Sequence, residues 1–160
     1  MIRSLAPSDA AAVAALDAEI FAENAWSAAA WEQEALSAGP DRRYIVLAEA
    51  EAVIGYGGVL RAGSDADILT IAVAPPWRGR GYGRALVTHL VGIAEAWHCQ
   101  AVFLEVEQDN AAAIGLYRAL GFGDLGVRRH YYGQQRHAVT MRRRLREPLG
   151  AVLLGGEVDD

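Results

Sequence analysis

Thr70-Ile71-Ala72-Val73-Ala74-Pro75-Pro76-Trp77-Arg78-Gly79-Arg80-Gly81-Tyr82-Gly83-Arg84-Ala85-Leu86 decides how this chain is read. An apolar strand stops at two prolines, a short loop follows, and glycines at alternate positions lead into an amphipathic helix. Glycine removes the side chain where a bound anion must approach the backbone. The first turn of a helix leaves N–H groups unpaired and carries a partial positive charge. The stretch therefore predicts a diphosphate cradle that works without a metal. Arg78, Arg80 and Arg84 add positive charge around it, and the ligand expected there is a phosphorylated cofactor.

Upstream of the loop, Ile2 to Leu5 reads as a strand and Ser8 to Ala22 as a helix with Val13, Leu16 and Ile20 on one face. Ser27 is the expected cap of a second helix, with Trp31, Ala35 and Leu36 on its apolar side and Gly39-Pro40-Asp41 ending it. Strands are expected over Tyr44 to Ala50, Ala52 to Arg61 and Asp67 to Val73. Gly55, Gly57 and Gly58 in the middle strand imply a bulge or a close approach. Downstream, a helix runs from Gly81 to His98 with Ala85, Leu86, Leu90, Ile93 and Ala94 inward. Ala101 to Val106 is a continuous apolar strand, as for one covered on both faces. Asp109 or Asn110 caps a helix to Leu120 that Gly121-Phe122 ends, and strands follow over Asp124 to Tyr132 and Arg136 to Arg144. This order implies an α+β fold of six to seven strands and about four helices, a largely antiparallel sheet with one parallel crossover at the glycine loop. Residues 1–145 are expected to form one domain and residues 146–160 a loose tail.

The 160 residues, 52% hydrophobic and 22% charged, suit a soluble globular domain with a core of its own. No apolar run approaches the roughly 18 residues of a membrane span, and Met1 to Pro7 lacks the features of a signal peptide, so a cytoplasmic protein is expected. Cys99 is the only cysteine and is expected to pack at a helix end rather than act as a nucleophile. His89 and His98 are nine apart, too far along a helix to chelate together, and no metal site is expected. The net charge of −5 argues against general nucleic-acid binding. Residues 128–146 nonetheless carry seven arginines and no acid, and the chain has no lysine. That run is either a solvated strand face or an aid to phosphate binding.

A P-loop requires lysine after its glycines, so that class is excluded. A dinucleotide fold would pair the loop with an acid such as Glu105, 22 residues after Gly83. Its third glycine comes one position too early, however, and Pro75-Pro76-Trp77 separates the loop from its strand. Arg78-Gly79-Arg80-Gly81-Tyr82-Gly83 instead resembles the acyl-CoA loop of the GCN5-related N-acetyltransferase superfamily. A second segment, Leu104-Glu105-Val106-Glu107-Gln108-Asp109-Asn110 through Ile114-Gly115-Leu116-Tyr117 to Gly121-Phe122, resembles that superfamily's other core, with Asn110 27 residues after Gly83. Within the superfamily the chain is most similar to the ribosomal-protein-alanine N-acetyltransferases (RimI-type). Phe21 to Trp31, the twelve-residue step from Glu105 to Tyr117, and Gly126-Val127-Arg128-Arg129-His130-Tyr131-Tyr132 carry that similarity. The chain departs from the family at Gly133-Gln134-Gln135-Arg136-His137, where a proline and a short acidic link are usual.

The resemblance implies acetyl transfer from acetyl-CoA to the N-terminal amine of a protein, such as the N-terminal alanine of a small-subunit ribosomal protein. It implies no metal, no membrane and no direct nucleic-acid partner, and a monomer or weak homodimer. Glu105 is the expected general base, with partial burial raising its pKa. Glu107, two residues on and on the same face, is its rival or a contact for the substrate amine. Tyr117 is the expected acid for the departing thiolate and touches the cofactor. Asn110 caps its helix, binds pantetheine, or does both. Backbone of Ile71, Ala72 and Val73 is expected to pair with pantetheine as an added strand, with the Val73 amide facing the oxyanion. Gly79, Arg80, Gly81, Tyr82, Gly83 and Arg84, flanked by Arg78, hold the diphosphate. Tyr131 and Tyr132 line the acceptor path, and Trp26 and Trp31 either share that groove or serve the core. The alternatives are a lysine or small-molecule acceptor on the same fold, or an acyl-CoA sensor without turnover.

Overall fold

The computed structural model describes residues 1–133 and 136–146, with the side chains of 127–133 and 136 left aside. Its elements are β1 (Ile2–Ser4), α1 (Ala10–Phe21), α2 (Ala28–Ser37), β2 (Arg42–Glu49), β3 (Ala52–Ala62), β4 (Asp65–Val73), α3 (Tyr82–Ala96), β5 (Ala101–Glu107), α4 (Ala111–Ala119), β6 (Gly123–Gly133) and β7 (Arg136–Arg144). The seven strands form one sheet in the order β1-β2-β3-β4-β5-β7-β6. Pairings β1–β2, β2–β3, β5–β7 and β6–β7 are antiparallel, whereas β4–β5 is parallel. The α+β architecture expected from the element order is therefore present.

The chain divides into two compact units, Met1–Leu60 with Ile68–Gly92, and Arg61–Asp67 with the described residues from Ile93 onward. In the first unit, Val13 and Leu16 of α1, Trp31 of α2, Tyr44 and Val46 of β2, Tyr56 of β3 and Ala72 of β4 form one core. Complete burial of a side chain such as Val13 or Val46 contributes about 1.5–3 kcal/mol. The Ser27 hydroxyl accepts from the Ala30 amide at 3.1 Å and so caps α2 as expected. Leu36, expected on the inner side of α2, is 67% exposed. The partly buried position beside it goes to Glu34, which pairs with Arg42 at 2.6 Å.

The glycines of β3 are explained by the unit's own packing. A Cβ at Gly55 would lie 2.9 Å from the Ala72 carbonyl oxygen and 3.3 Å from Leu86 Cδ1, and one at Gly57 would lie 3.0 Å from Leu90 Cδ1. Helix α3 thus sits closer to the sheet than any side chain on that face would allow. Gly58, facing the other way, lies under the Tyr44 ring, its register partner. A bulge also occurs on β3, where Gly55 and Val53 face the adjacent Leu47 and Ala48 of β2 and Ile54 is the extra residue. The buried stripe of α3 is Leu86, Val87, Leu90, Val91 and Ala94, with Ala85 exposed and Ile93 only partly buried. The helix is rotated by about one residue from the expected stripe because small alanines carry little hydrophobic signal.

In the second unit, β5 alternates rather than being covered on both faces. Val102, Leu104 and Val106 are buried, while Phe103, Glu105 and Glu107 are partly exposed. That open face is where the carboxylates stand. Gln100, just before β5, is a tether: its amide donates to the Ser64 carbonyl at 2.8 Å, and its own carbonyl accepts from Leu145 and Arg146. Cys99 beside it is 2% exposed, and burial pushes its thiol pKa up. The tail expected over 146–160 lies, beyond Arg146, outside the described residues.

Candidate active site

The glycine loop belongs to the first unit. The chain leaves β4 through a 3-10 turn, Pro75–Trp77, whose Trp77 amide donates to the Ala74 carbonyl at 2.9 Å. Gly79 and Gly81 adopt φ of 78° and 88°, which an L-residue with a side chain rarely takes up. A Cβ at either would meet nothing within 4 Å. The need for glycine here is thus one of backbone shape, with open space over the loop. The Ala85 amide donates to the Gly81 carbonyl at 3.1 Å, so Gly81 precedes the first helical residue. The amides of Tyr82, Gly83 and Arg84 have no carbonyl one turn earlier in α3 to receive them. This is the chemistry an anion cradle requires, and the loop fits a diphosphate.

The arginines around the loop have distinct settings. Arg78 Nε donates to the Val73 carbonyl at 3.0 Å, strapping the loop to the end of β4. The Arg80 guanidinium lies over the Trp77 ring at 5.0 Å, and Trp77 in turn stands 6.1 Å from Tyr82. Arg84, on the first turn of α3, is exposed. Ile71 is partly buried, whereas Ala72 and Val73 belong to the buried core.

The titratable residues belong to the second unit. Glu105 stands opposite Thr140 and Glu107 opposite Ala138, so both point to one face, and Glu105 lies two residues before the end of β5 rather than at it. The parallel pairing sets Asp67 beside Phe103, which puts it on the same face as Glu105. Burial, followed by the charges of Asp65 and Glu105, holds the Asp67 carboxyl above the usual carboxylate range. Sequence reading passed over Asp67. Its only signal was the Asp65-x-Asp67 alternation on a strand.

Asn110 Oδ1 accepts from the Ala113 amide at 3.1 Å and caps α4, which leaves its Nδ2 group as a donor. Tyr117, two turns along, packs its ring edge-on to Phe122 at 6.1 Å. The Phe122 amide donates to the Tyr117 carbonyl at 3.0 Å, and Gly121 closes the helix at φ 94°. Burial pushes the Tyr117 phenol up to about 12, above the value near 10 of a free phenol. A cleft of about 370 Å³ beside α4, lined by Gln108, Ile114, Arg118 and Asp124 among others, includes neither Glu105 nor Tyr117.

The structure thus gathers Ile71–Val73 and Arg78–Arg84 in one unit, and Glu105, Glu107, Asn110 and Tyr117 in the other. Tyr131 and Tyr132 lie on β6, but their side chains fall outside the described residues. Gln134 and Gln135, in the segment where the chain departs from the family pattern, also fall outside. Trp31 is 3% exposed and belongs to the core, whereas Trp26 is 42% exposed. Among the described residues no cluster of three or more His, Cys, Asp or Glu side chains is placed to hold a metal.

Comparison with known proteins gives a consistent picture. The acetyltransferase (GNAT) family matches residues 11–122. The chain is 37% identical over 153 residues to the N-alpha-acetyltransferase RimI of Mycobacterium tuberculosis, covering 92% of this chain and 94% of that one. It is 38% identical over 137 residues to the Mycobacterium leprae protein ML0378, covering 82% of this chain but only 37% of that longer protein. Among solved structures, the ribosomal-protein-S18-alanine N-acetyltransferase from Escherichia coli superposes with a TM-score of 0.80 at 28% identity, over 92% of this chain and 95% of that one.

Proposed function

Since the chain belongs to the acetyltransferase (GNAT) family, we propose that it transfers the acetyl group of acetyl-CoA to a protein's N-terminal α-amine. The proposed acceptor is the N-terminal alanine of a small-subunit ribosomal protein. The observation that carries this reading is the near end-to-end likeness to the Mycobacterium tuberculosis N-alpha-acetyltransferase, 37% identical across 94% of its length. The Escherichia coli S18-alanine enzyme, similar over 95% of its chain, supports the choice of acceptor.

The chemistry agrees with an α-amine. An amine attacks a thioester only when neutral. At pH 7 about a tenth of a peptide α-amine, with a pKa of about 7.7–8.0, is already neutral, against a few parts in ten thousand of a lysine. Modest base catalysis is therefore enough. Glu105 takes the proton from the amine, directly or through one water, and Glu107 on the same face holds the incoming ammonium. The amides of Gly79 to Arg84 hold the diphosphate, and Ile71–Val73 offer backbone groups to pantetheine. Asn110 Nδ2 is free to donate to a pantetheine carbonyl while Oδ1 caps α4. Acetyl-CoA supplies the activated acyl group, and Tyr117 donates its proton toward the sulfur as the carbon–sulfur bond breaks.

No described helix is long and apolar enough to cross a membrane. We place the enzyme in the cytoplasm, where such acceptors are made, as a monomer or weak homodimer. The test is acetyl transfer to a peptide beginning with alanine and to the same peptide with its N-terminus blocked. Transfer to the first alone supports the reading. Transfer to both, or only to a small-molecule amine, moves the acceptor to a side chain or to a metabolite.

A further inference from the structure

Where β4 is assigned to the cofactor, its neighbour is β3. Among the described residues β4 pairs with β5 only at Ala66–Val102 and Asp67–Phe103. A Cβ at Gly57 would lie 3.3 Å from the Thr70 carbonyl oxygen, and one at Gly55 would lie 2.9 Å from that of Ala72. The Ala74 amide donates to the Ile54 carbonyl at 2.7 Å. Thr70, Ala72 and Ala74 thus turn their backbone groups toward β3. Direction alternates along a strand, so Ile71 and Val73 turn theirs the other way. The Val73 carbonyl accepts from Arg78 Nε at 3.0 Å on that side, and the Ile71 amide and carbonyl and the Val73 amide stand along the same edge.

A strand with one neighbour opens more readily than a central one. If it is to receive an added strand, it binds best when it is already extended, because ordering it on binding costs affinity.

A buried chain of hydrogen bonds provides that order. Asp17 on α1 is only 5% exposed and accepts from the Trp26 amide at 2.7 Å, from Trp31 Nε1 at 3.3 Å and from the Tyr56 hydroxyl. A carboxylate only accepts, so the one hydroxyl proton of Tyr56 goes to Asp17. The bond between Tyr56 and the Thr70 side chain is then one that the Tyr56 oxygen accepts. Tyr56 is 1% exposed. The chain runs from Thr70 on β4 through Tyr56 on β3 to Asp17 on α1, all inside the first unit. Successive bonds in one direction strengthen each other and fix all three groups in one arrangement. Apolar packing alone would accept valine and phenylalanine at positions 70 and 56, and two buried hydroxyls are costly unless each has a partner.

We propose that Thr70 and Tyr56, anchored by Asp17, are positioning residues for the cofactor: their hydrogen bond braces β4 in the extended form in which Ile71 and Val73 pair with the pantetheine arm of CoA. Neither residue touches a reacting atom. The assignment rests on the acetyltransferase reading given above and concerns the pantetheine arm alone; the diphosphate stays with the glycine loop.

Tyr56→Phe, Thr70→Val and the double variant test it, beside Thr70→Ser, which keeps the hydroxyl. Calorimetry on each uses CoA and adenosine 3′-phosphate 5′-diphosphate, which is CoA without its pantetheine arm. Tyr56→Phe and Thr70→Val should each weaken CoA about fivefold and leave the shorter ligand within about twofold. The double variant should lose no more than either single one, since both break the same bond. Thr70→Ser should stay within about twofold of the wild type for both ligands. In turnover, the acetyl-CoA KM should rise about fivefold in the first two variants, with kcat and the peptide KM within about twofold. If Tyr56→Phe does not fold, Thr70→Val and Thr70→Ser decide. Unchanged CoA affinity in the folded variants overturns the brace. Equal weakening of both ligands also overturns it, since that marks a general loosening of the unit. Either result, with CoA still bound by the wild type, leaves the acetyltransferase reading standing. A wild type that binds neither ligand overturns that reading and the brace with it.

Discussion

Tyr117 shows how much a single environment can change a role. A free phenol near pKa 10 would be a matched acid for a thiolate, whereas burial pushes this one up to about 12. It is a weaker acid than expected, but it keeps its proton throughout the working range. Its donor form is present below about pH 11 and is lost only above that, so kcat should stay flat between about pH 8 and 10. A fall with an apparent pKa below 10 in a pH–rate profile would remove Tyr117 from the acid role. Tyr117→Phe should cut kcat about a hundredfold while calorimetry finds CoA affinity within twofold. Glu105 and Glu107 are told apart by their glutamine variants: the one whose substitution abolishes the acidic limb of the profile is the base. Both carboxylates could be picked out as a pair on one strand face, because alternation follows directly from residue spacing. Asp67 could not, because it gains its meaning from a parallel partner 36 positions away.

Among the elements, the glycine loop followed most directly from the sequence, since positive φ at Gly79 and Gly81 is a local demand that only one residue type meets cheaply. The capping of α2 by Ser27 and of α4 by Asn110 was equally local. The face that each helix presents was less legible. The inner stripe of α3 moved by about one residue and Leu36 of α2 turned outward, because the choice depends on what each helix meets: the glycines of β3 for α3, Arg42 for α2. The turn between β2 and β3 departs from the sequence preferred for its shape. Ala50 and Glu51 both take positive φ, 48° and 69°, in a two-residue hairpin closed by Glu49 and Ala52. That geometry favours Asn-Gly. Ala50→Asn combined with Glu51→Gly should therefore stabilise the fold by about 1–2 kcal/mol in urea unfolding, with activity unchanged.

For the whole molecule, ligand linkage offers the broadest test. A ligand that binds only the folded protein stabilises it by about 2.7 kcal/mol at a hundred times its Kd, which in a chain of this size raises Tm by about 5–10 °C. CoA should do this for the wild type. Gly81→Leu, strained at φ 88° but meeting no neighbour, should fold with a slightly lower Tm and lose the CoA shift. A retained shift would move the cradle elsewhere. Charge was informative at this scale only in bulk: the net −5 says little about an acceptor, and six of the seven arginines of 128–146 are spread over two strands. The sealed position of Cys99, 2% exposed and the chain's one thiol, has a practical consequence at the bench. A disulfide dye that reacts with each sulfhydryl released during turnover would report product with almost no background from the native catalyst. A single cysteine introduced on the surface could likewise carry a fluorophore at one defined place.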